Sequence, residues 1–132
     1  MNRLFFIISI LFVSLSLHAQ SDSERIEGVW LNHLENVKVE IFKRDGKFFG
    51  KIVWIDIPKD VDINFPTDKN NPDPKLRSRK IMGLEMITDL KYANGIWEDG
   101  KLYSPKKGQT VDCELEISDD NQTLYVTASK GL

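Results

Sequence analysis

A chain of 132 residues with 20 acidic and 18 basic side chains carries a formal charge of −2 at pH 7, a balance that argues against a large nucleic-acid surface, which would need a basic patch. A single cysteine, Cys113, rules out an internal disulfide, so stability has to come from an apolar core and backbone ladders. With only His33 and Cys113 beyond the first twenty residues, the usual histidine and cysteine zinc sites are out of reach and no metal or other cofactor is expected.

Residues 1–19 read as an export signal: Arg3 supplies positive charge, Leu4 to Leu17 an apolar run, and Ala19 a small residue before a cut. The run is shorter than the roughly 20 residues a membrane-spanning helix needs, so no transmembrane segment is expected after cleavage. The expected product is a single domain, residues 20–132, in the periplasm or secreted. Without Arg3 it holds 17 basic and 20 acidic residues, a formal −3.

From there the pattern is β throughout. Val37, Val39 and Ile41 alternate with Lys38 and Glu40, Arg44-Asp45-Gly46 supplies turn chemistry, and Lys47 to Ile55 returns as the second arm of a hairpin. In that arm Phe48, Gly50, Ile52 and Trp54 fall on one face by alternation. Leu84 to Tyr92 gives a further strand, with Met86, Thr88, Leu90 and Tyr92 together and Ile87 opposite. Asn94-Gly95 turns it; Ile96 to Glu98 forms a short arm, and Asp99-Gly100 turns again into Lys101 to Ser104. Val111, Cys113, Leu115 and Ile117 alternate with polar residues, and Thr123 to Ala128 is the last strand. No apolar period of 3.6 occurs after Gln20, so any helix is short and peripheral. Short strands in local antiparallel order need their edges hidden, and closure into a barrel does this most completely.

Asp56 to Lys80 breaks the pattern. Asp60, Asp62 and Asp68 lie in its front half, Asn71-Pro72-Asp73-Pro74 punctuates it, and Lys75, Arg77, Arg79 and Lys80 make its end basic. Prolines this close forbid a continuous ladder, and Asn71, Asp73 and Pro74 point to Asx and proline turns. An irregular connection of this length in a small domain is commonly functional. It reads either as a solvated loop pinned by Leu76 or as a rim presenting Arg77 and Arg79 to a carboxylate or phosphate. Asp60-x-Asp62-x-Asn64 resembles half of a calcium loop, but Phe65 replaces the needed glycine and Asn71 the bidentate glutamate.

Gly28-Val29-Trp30, Gly50-Lys51-Ile52-Val53-Trp54, Asn71-Pro72-Asp73-Pro74-x-Leu76-Arg77-x-Arg79 and Trp97-x-x-Gly100-x-x-Tyr103-x-Pro105-x-x-Gly108 together resemble the DUF2147 family of small exported bacterial proteins. The likeness runs from about Glu27 to Ala128. It implies an all-β, antiparallel lipocalin-like (calycin-like) barrel of about eight strands. The family continues beyond its equivalent of Thr127 with a strand bearing an arginine and a tryptophan, whereas this chain stops at Leu132. Against that resemblance, either the reading frame is shortened or the barrel remains unclosed, and Trp30 then lacks a basic partner.

Function is read from what these residues can do. No phosphate-binding glycine loop, nucleophile elbow or histidine-based constellation is present, so catalysis is the weaker reading. The preferred one is non-catalytic binding of a small apolar or amphipathic ligand inside the barrel. Phe48, Trp54, Met86, Trp97 and Tyr103 would line the space, and Arg77 or Arg79 at the mouth would orient an acidic end. One alternative is a structural or protein-interaction module of the cell envelope that uses the Asp56 to Lys80 loop or the incomplete edge as its surface; the open edge also offers a route to self-association. A third is an enzyme using carboxylates near the long loop, with Asp73, Arg77 and Asp99 brought together.

Overall fold

The computed structural model describes residues 21–129, so the apolar leader and its cleavage point lie outside the described residues. Seven strands succeed one another: β1 (Gly28–Leu31), β2 (Val37–Arg44), β3 (Lys47–Ile55), β4 (Glu85–Ala93), β5 (Ile96–Ser104), β6 (Gln109–Ile117) and β7 (Leu124–Ser129). Each pairs antiparallel with the next in a single sheet ordered β1 to β7. Among the described residues β1 and β7 do not pair. The sheet is a curled, open half-barrel, with seven strands in place of about eight.

Two hairpins form where the turn chemistry points. Asp45-Gly46 and Asn94-Gly95 take positive φ at both positions (52° and 76°; 50° and 87°), the twist that suits a two-residue connection between right-twisted strands. Asp99-Gly100 does not turn the chain. Ile96–Ser104 is one strand, and Asp99 at φ 60° makes a bulge, with Trp97 opposite Leu115 and Gly100 opposite Cys113. Asp89 at φ 63° does the same in β4, where Ile87 faces Gly50 and Leu90 faces Phe48.

These bulges explain where strict alternation fails. Ile87 and Leu90, opposed by simple period-two counting, are both buried, because one extra residue on the strand re-aims the side chains beyond it. A bulge against β2 similarly separates Trp54 from the Phe48, Gly50 and Ile52 face: Val39 pairs with Ile52, but the adjacent Lys38 pairs with Trp54. Lys38 Nζ lies over the Trp54 ring, 5.1 Å from its centre.

Ile26, Ile41, Phe48, Ile87, Leu90, Trp97, Cys113 and Leu115 form the core. Phe48 and Trp97 meet edge to face at 6.5 Å. Gly100 is required there, since a Cβ would lie 2.5 Å from Leu90 Cδ2. On the outer face Phe49 is covered by Arg44, whose guanidinium stands 4.1 Å from the ring centre and grips both oxygens of Glu85 at 2.7 and 3.0 Å.

The short 3-10 turn Asp22–Ile26 is not peripheral. Ile26 is fully buried, Trp97 Nε1 donates to Ser23 O at 3.0 Å, and Trp30 Nε1 donates to Ile26 O at 2.8 Å. Arg25 adds hydrogen bonds to Asn121 Oδ1 at 2.6 and 2.9 Å. This segment plugs the end of the half-barrel carrying the β2–β3, β4–β5 and β6–β7 turns. At the unpaired edge the packing thins: Val126 faces Leu115 yet remains 48% exposed. No described helix is long and apolar enough to cross a membrane.

Candidate functional site

The opposite end carries the long connection between β3 and β4 and the β5–β6 turn. Gly83 N donates to Ile52 O and Ile52 N to Leu84 O, extending the β3–β4 ladder into the loop. A bridge between Thr67 and Lys80, with Asp68 N donating to Arg79 O at 2.9 Å and Ile81 N to Pro66 O at 3.0 Å, zips its second half into a narrow arm. Inside that arm Asn71 Oδ1 accepts from Asp73 N at 2.8 Å, and Asp73 Oδ1 caps the short turn Pro74–Leu76 through Lys75 N at 3.0 Å. The Asx and proline turns expected of Asn71-Pro72-Asp73-Pro74 are therefore present.

Asp68 is the hub. Its side chain is fully buried, and Oδ1 accepts from the Tyr103 hydroxyl at 2.5 Å while Oδ2 accepts from Asn71 Nδ2 and Arg79 Nε, each at 2.8 Å. Burial pushes the Asp68 carboxyl up, but the three hydrogen bonds outweigh it and hold the group below its ordinary range. Burial, then the bond to Asp68, raises the Tyr103 phenol. The Arg79 guanidinium also lies over the Tyr103 ring at 5.3 Å, a favourable stacking of cation and aromatic face. Loop and sheet are thus joined through one carboxylate.

Next to this hub is a cleft of about 280 Å3 between the arm and the sheet. Pro72, Leu76 and Met86 give it apolar walls, and Arg79, Tyr103 and Thr110 give it polar ones; the Glu85 carboxylate, neutralised by Arg44, and Lys101, paired with Asp112, also lie on its lining. Arg79 spends only Nε on Asp68; its two Nη atoms have no hydrogen-bond partner among the described residues. Arg77 donates from Nε to Asn71 O at 2.8 Å and is otherwise exposed on the arm.

The residues singled out in the sequence are dispersed among three places. Arg79, Met86 and Tyr103 meet in the cleft, with Arg77 on the adjoining arm. Phe48 and Trp97 are 1% and 0% exposed in the core. Trp54 stands under Lys38, apart from both. Asp73, Arg77 and Asp99 are not joined by any hydrogen bond; Asp73 caps its turn and Asp99 forms the β5 bulge. Cys113 is buried, which pushes its thiol up to about 11, as befits an unreactive core side chain.

Sequence reading did not single out Asp68 and Asn71 as a site. Asp68 looks like one of several loop acids, and the partner that distinguishes it, Tyr103, is 35 residues away. A second groove of about 550 Å3 runs over β5 to β7 past Glu98, Asp112 and Glu114. The cation on its lining, Lys101, is already paired with Asp112.

A comparison with curated proteins finds no match. Among solved structures, the chain is similar to one described as "Protein HP1028 from the human pathogen Helicobacter pylori belongs to the lipocalin family", with 25% identity and a TM-score of 0.66 over 80% of this chain and 73% of that one. The open half-barrel is thus lipocalin-like, an architecture consistent with ligand binding. The profile of the family described as "Uncharacterized protein conserved in bacteria (DUF2147)" matches residues 28–132, and the chain belongs to that family.

Proposed function

We propose that this exported protein binds a small amphipathic molecule with an acidic head, without covalent chemistry, in the cleft beneath the Asp68–Arg79 arm. The carrying observation is the division of labour within Arg79: Nε is fixed by buried Asp68, while both Nη donors have no hydrogen-bond partner among the described residues and the same side chain lines the cleft. A guanidinium held this way is preorganised for a carboxylate or phosphate. Leu76, Pro72 and Met86 supply apolar surface beside it, so the guest's apolar part is desolvated there and its charge sets orientation. The interior proposed from alternation alone is the weaker location, because Trp97, Phe48, Leu90 and Leu115 fill it.

The test uses 1-anilinonaphthalene-8-sulfonate, an amphipathic anion whose fluorescence reports an apolar surrounding, with displacement by decanoate. Arg79→Lys retains a cation for Asp68 but removes the Nη pair. About tenfold weaker binding is expected, the order of one charge-assisted hydrogen bond. Equal affinity in the two proteins would move the site elsewhere.

A second reading, self-association along the unpaired β1 and β7 edges, is favoured by the exposure of Val29 at 56%, Tyr125 at 58% and Val126 at 48%. Light scattering across concentrations separates it: a monomer at all concentrations rejects it.

A further inference from the structure

Positive charge in this molecule is gathered at one end. Residues 69–80 and 104–109 hold seven of the 18 basic side chains and one of the 20 acidic ones, so these two segments carry a formal +6 and the rest of the chain −8. The fold locks the segments together. Asn70 Nδ2 donates to Pro105 O at 3.3 Å and Lys106 O at 3.1 Å, and a Cβ on Gly108, at φ 63°, would collide with the Asn70 carbonyl.

Lys69, Lys75, Arg77, Lys80, Lys106 and Lys107 are all exposed, and none makes an ion pair with a described carboxylate. The one acid within the segments, Asp73, caps its own turn, and the adjoining Asp68 is buried and saturated. Six uncompensated cations on a net-acidic protein orient it in an anionic field.

Apolar side chains stand at the same place. Phe65 is 76% exposed, the most exposed large hydrophobic residue described; its N–H donates to Asp62 O at 2.8 Å, and the following residue, Pro66, accepts from Ile81 N beside the Thr67–Lys80 bridge. Leu76, 38% exposed, lies between Lys75 and Arg77.

We infer that this end docks on an anionic lipid surface, the cations of residues 69–80 and 104–109 meeting headgroup phosphates while Phe65 and Leu76 enter the interfacial layer. Clusters of four to eight basic residues bind acidic bilayers, and apolar side chains beside them add to the attachment. A soluble polyanion would use the charge but leave Phe65 and the aliphatic Leu76 in water. This surface adjoins the Arg79 cleft at Leu76, which lines both, and does not require the cleft to be occupied.

The experiment is flotation of the protein recovered from the envelope of an expressing bacterium, its amino terminus read by mass spectrometry. Vesicles are phosphatidylcholine alone or with phosphatidylglycerol at about 30%, in salt of about 0.1 and 0.5 M, which shortens the screening length about twofold. Binding is expected to the mixed vesicles only, and to fall at least tenfold at the higher salt. Lys69→Gln/Lys75→Gln/Lys106→Gln/Lys107→Gln should abolish it with the melting temperature unchanged, and Phe65→Ser should weaken it several-fold. A control with Lys43→Gln/Lys91→Gln, at the other end, should bind as the unmodified chain does. Equal flotation with neutral vesicles, retention by the fourfold variant, or tighter binding to heparin or RNA than to mixed vesicles at the same salt would each overturn the inference.

Discussion

The two ends of the half-barrel are secured by different physics. At one, the segment Asp22–Ile26 is held by burial of Ile26 against Trp97 and Phe48, with two indole N–H groups satisfying backbone carbonyls. At the other, an arm rich in proline and charge is centred on a buried carboxylate that gathers a phenol, an amide and a guanidinium, with Asn70 adding hydrogen bonds to the β5–β6 turn. Apolar burial is indifferent to pH and tolerant of small displacements. A buried ionic hub is directional and titratable, and it fixes the position of the groups around it.

Substitutions should separate the ends, starting with the most damaging. Trp97→Ala removes the largest fully buried side chain and is expected to cost about 3–5 kcal/mol in denaturant unfolding; a change under about 1 kcal/mol would mean the plug is not integral. Asp68→Ala should cost about 2–4 kcal/mol, since three donors lose their acceptor. Its signature is local: hydrogen exchange should accelerate in residues 67–81 and leave the Leu90 and Leu115 amides protected. Uniform loss of protection would erase the distinction drawn between the ends.

Acid offers a subtler probe. Because the folded-state pKa of Asp68 is lowered, its contribution is complete above the ordinary carboxylate range and is lost as pH falls through about 4 and below. The stability gap between the unmodified chain and Asp68→Asn should therefore narrow progressively as pH falls below about 4, tracked by melting temperature. A gap independent of pH would show that the ionised form is not what holds the arm. Tyr103→Phe, which leaves Asp68 two of its donors, should cost about 1–2 kcal/mol. Arg77→Ala, exposed and bonded through a single Nε, should alter stability by less than about 0.5 kcal/mol.

Much of the fold was legible because its signals are local. Asp45-Gly46 and Asn94-Gly95 name their own turns, and Val111 to Ile117 alternates without interruption, so strand and face can be read from adjacent residues. Where alternation misled, at Ile87, Trp54 and Asp99, a bulge intervened. An aspartate at positive φ looks the same in a sequence whether it reverses a strand or merely kinks it. The cleft was only half legible. Arg79 and Tyr103 stand out as chemistry, whereas Asp68 acquires its meaning from a hydroxyl on another strand, and period-two counting has no access to such a distance. The resemblance to the DUF2147 family pointed to the architecture and to the unclosed edge, and it was silent about where a guest would sit.

One missing methyl group has a mechanical effect. Because Gly108 has only hydrogen where other residues have carbon, the Asn70 carbonyl nests against the β5–β6 turn, and the arm that walls the cleft is seated on the sheet end that floors it. A guest would then find its berth already shaped, so entry should be limited by diffusion and dehydration, with no wait for a flap to swing.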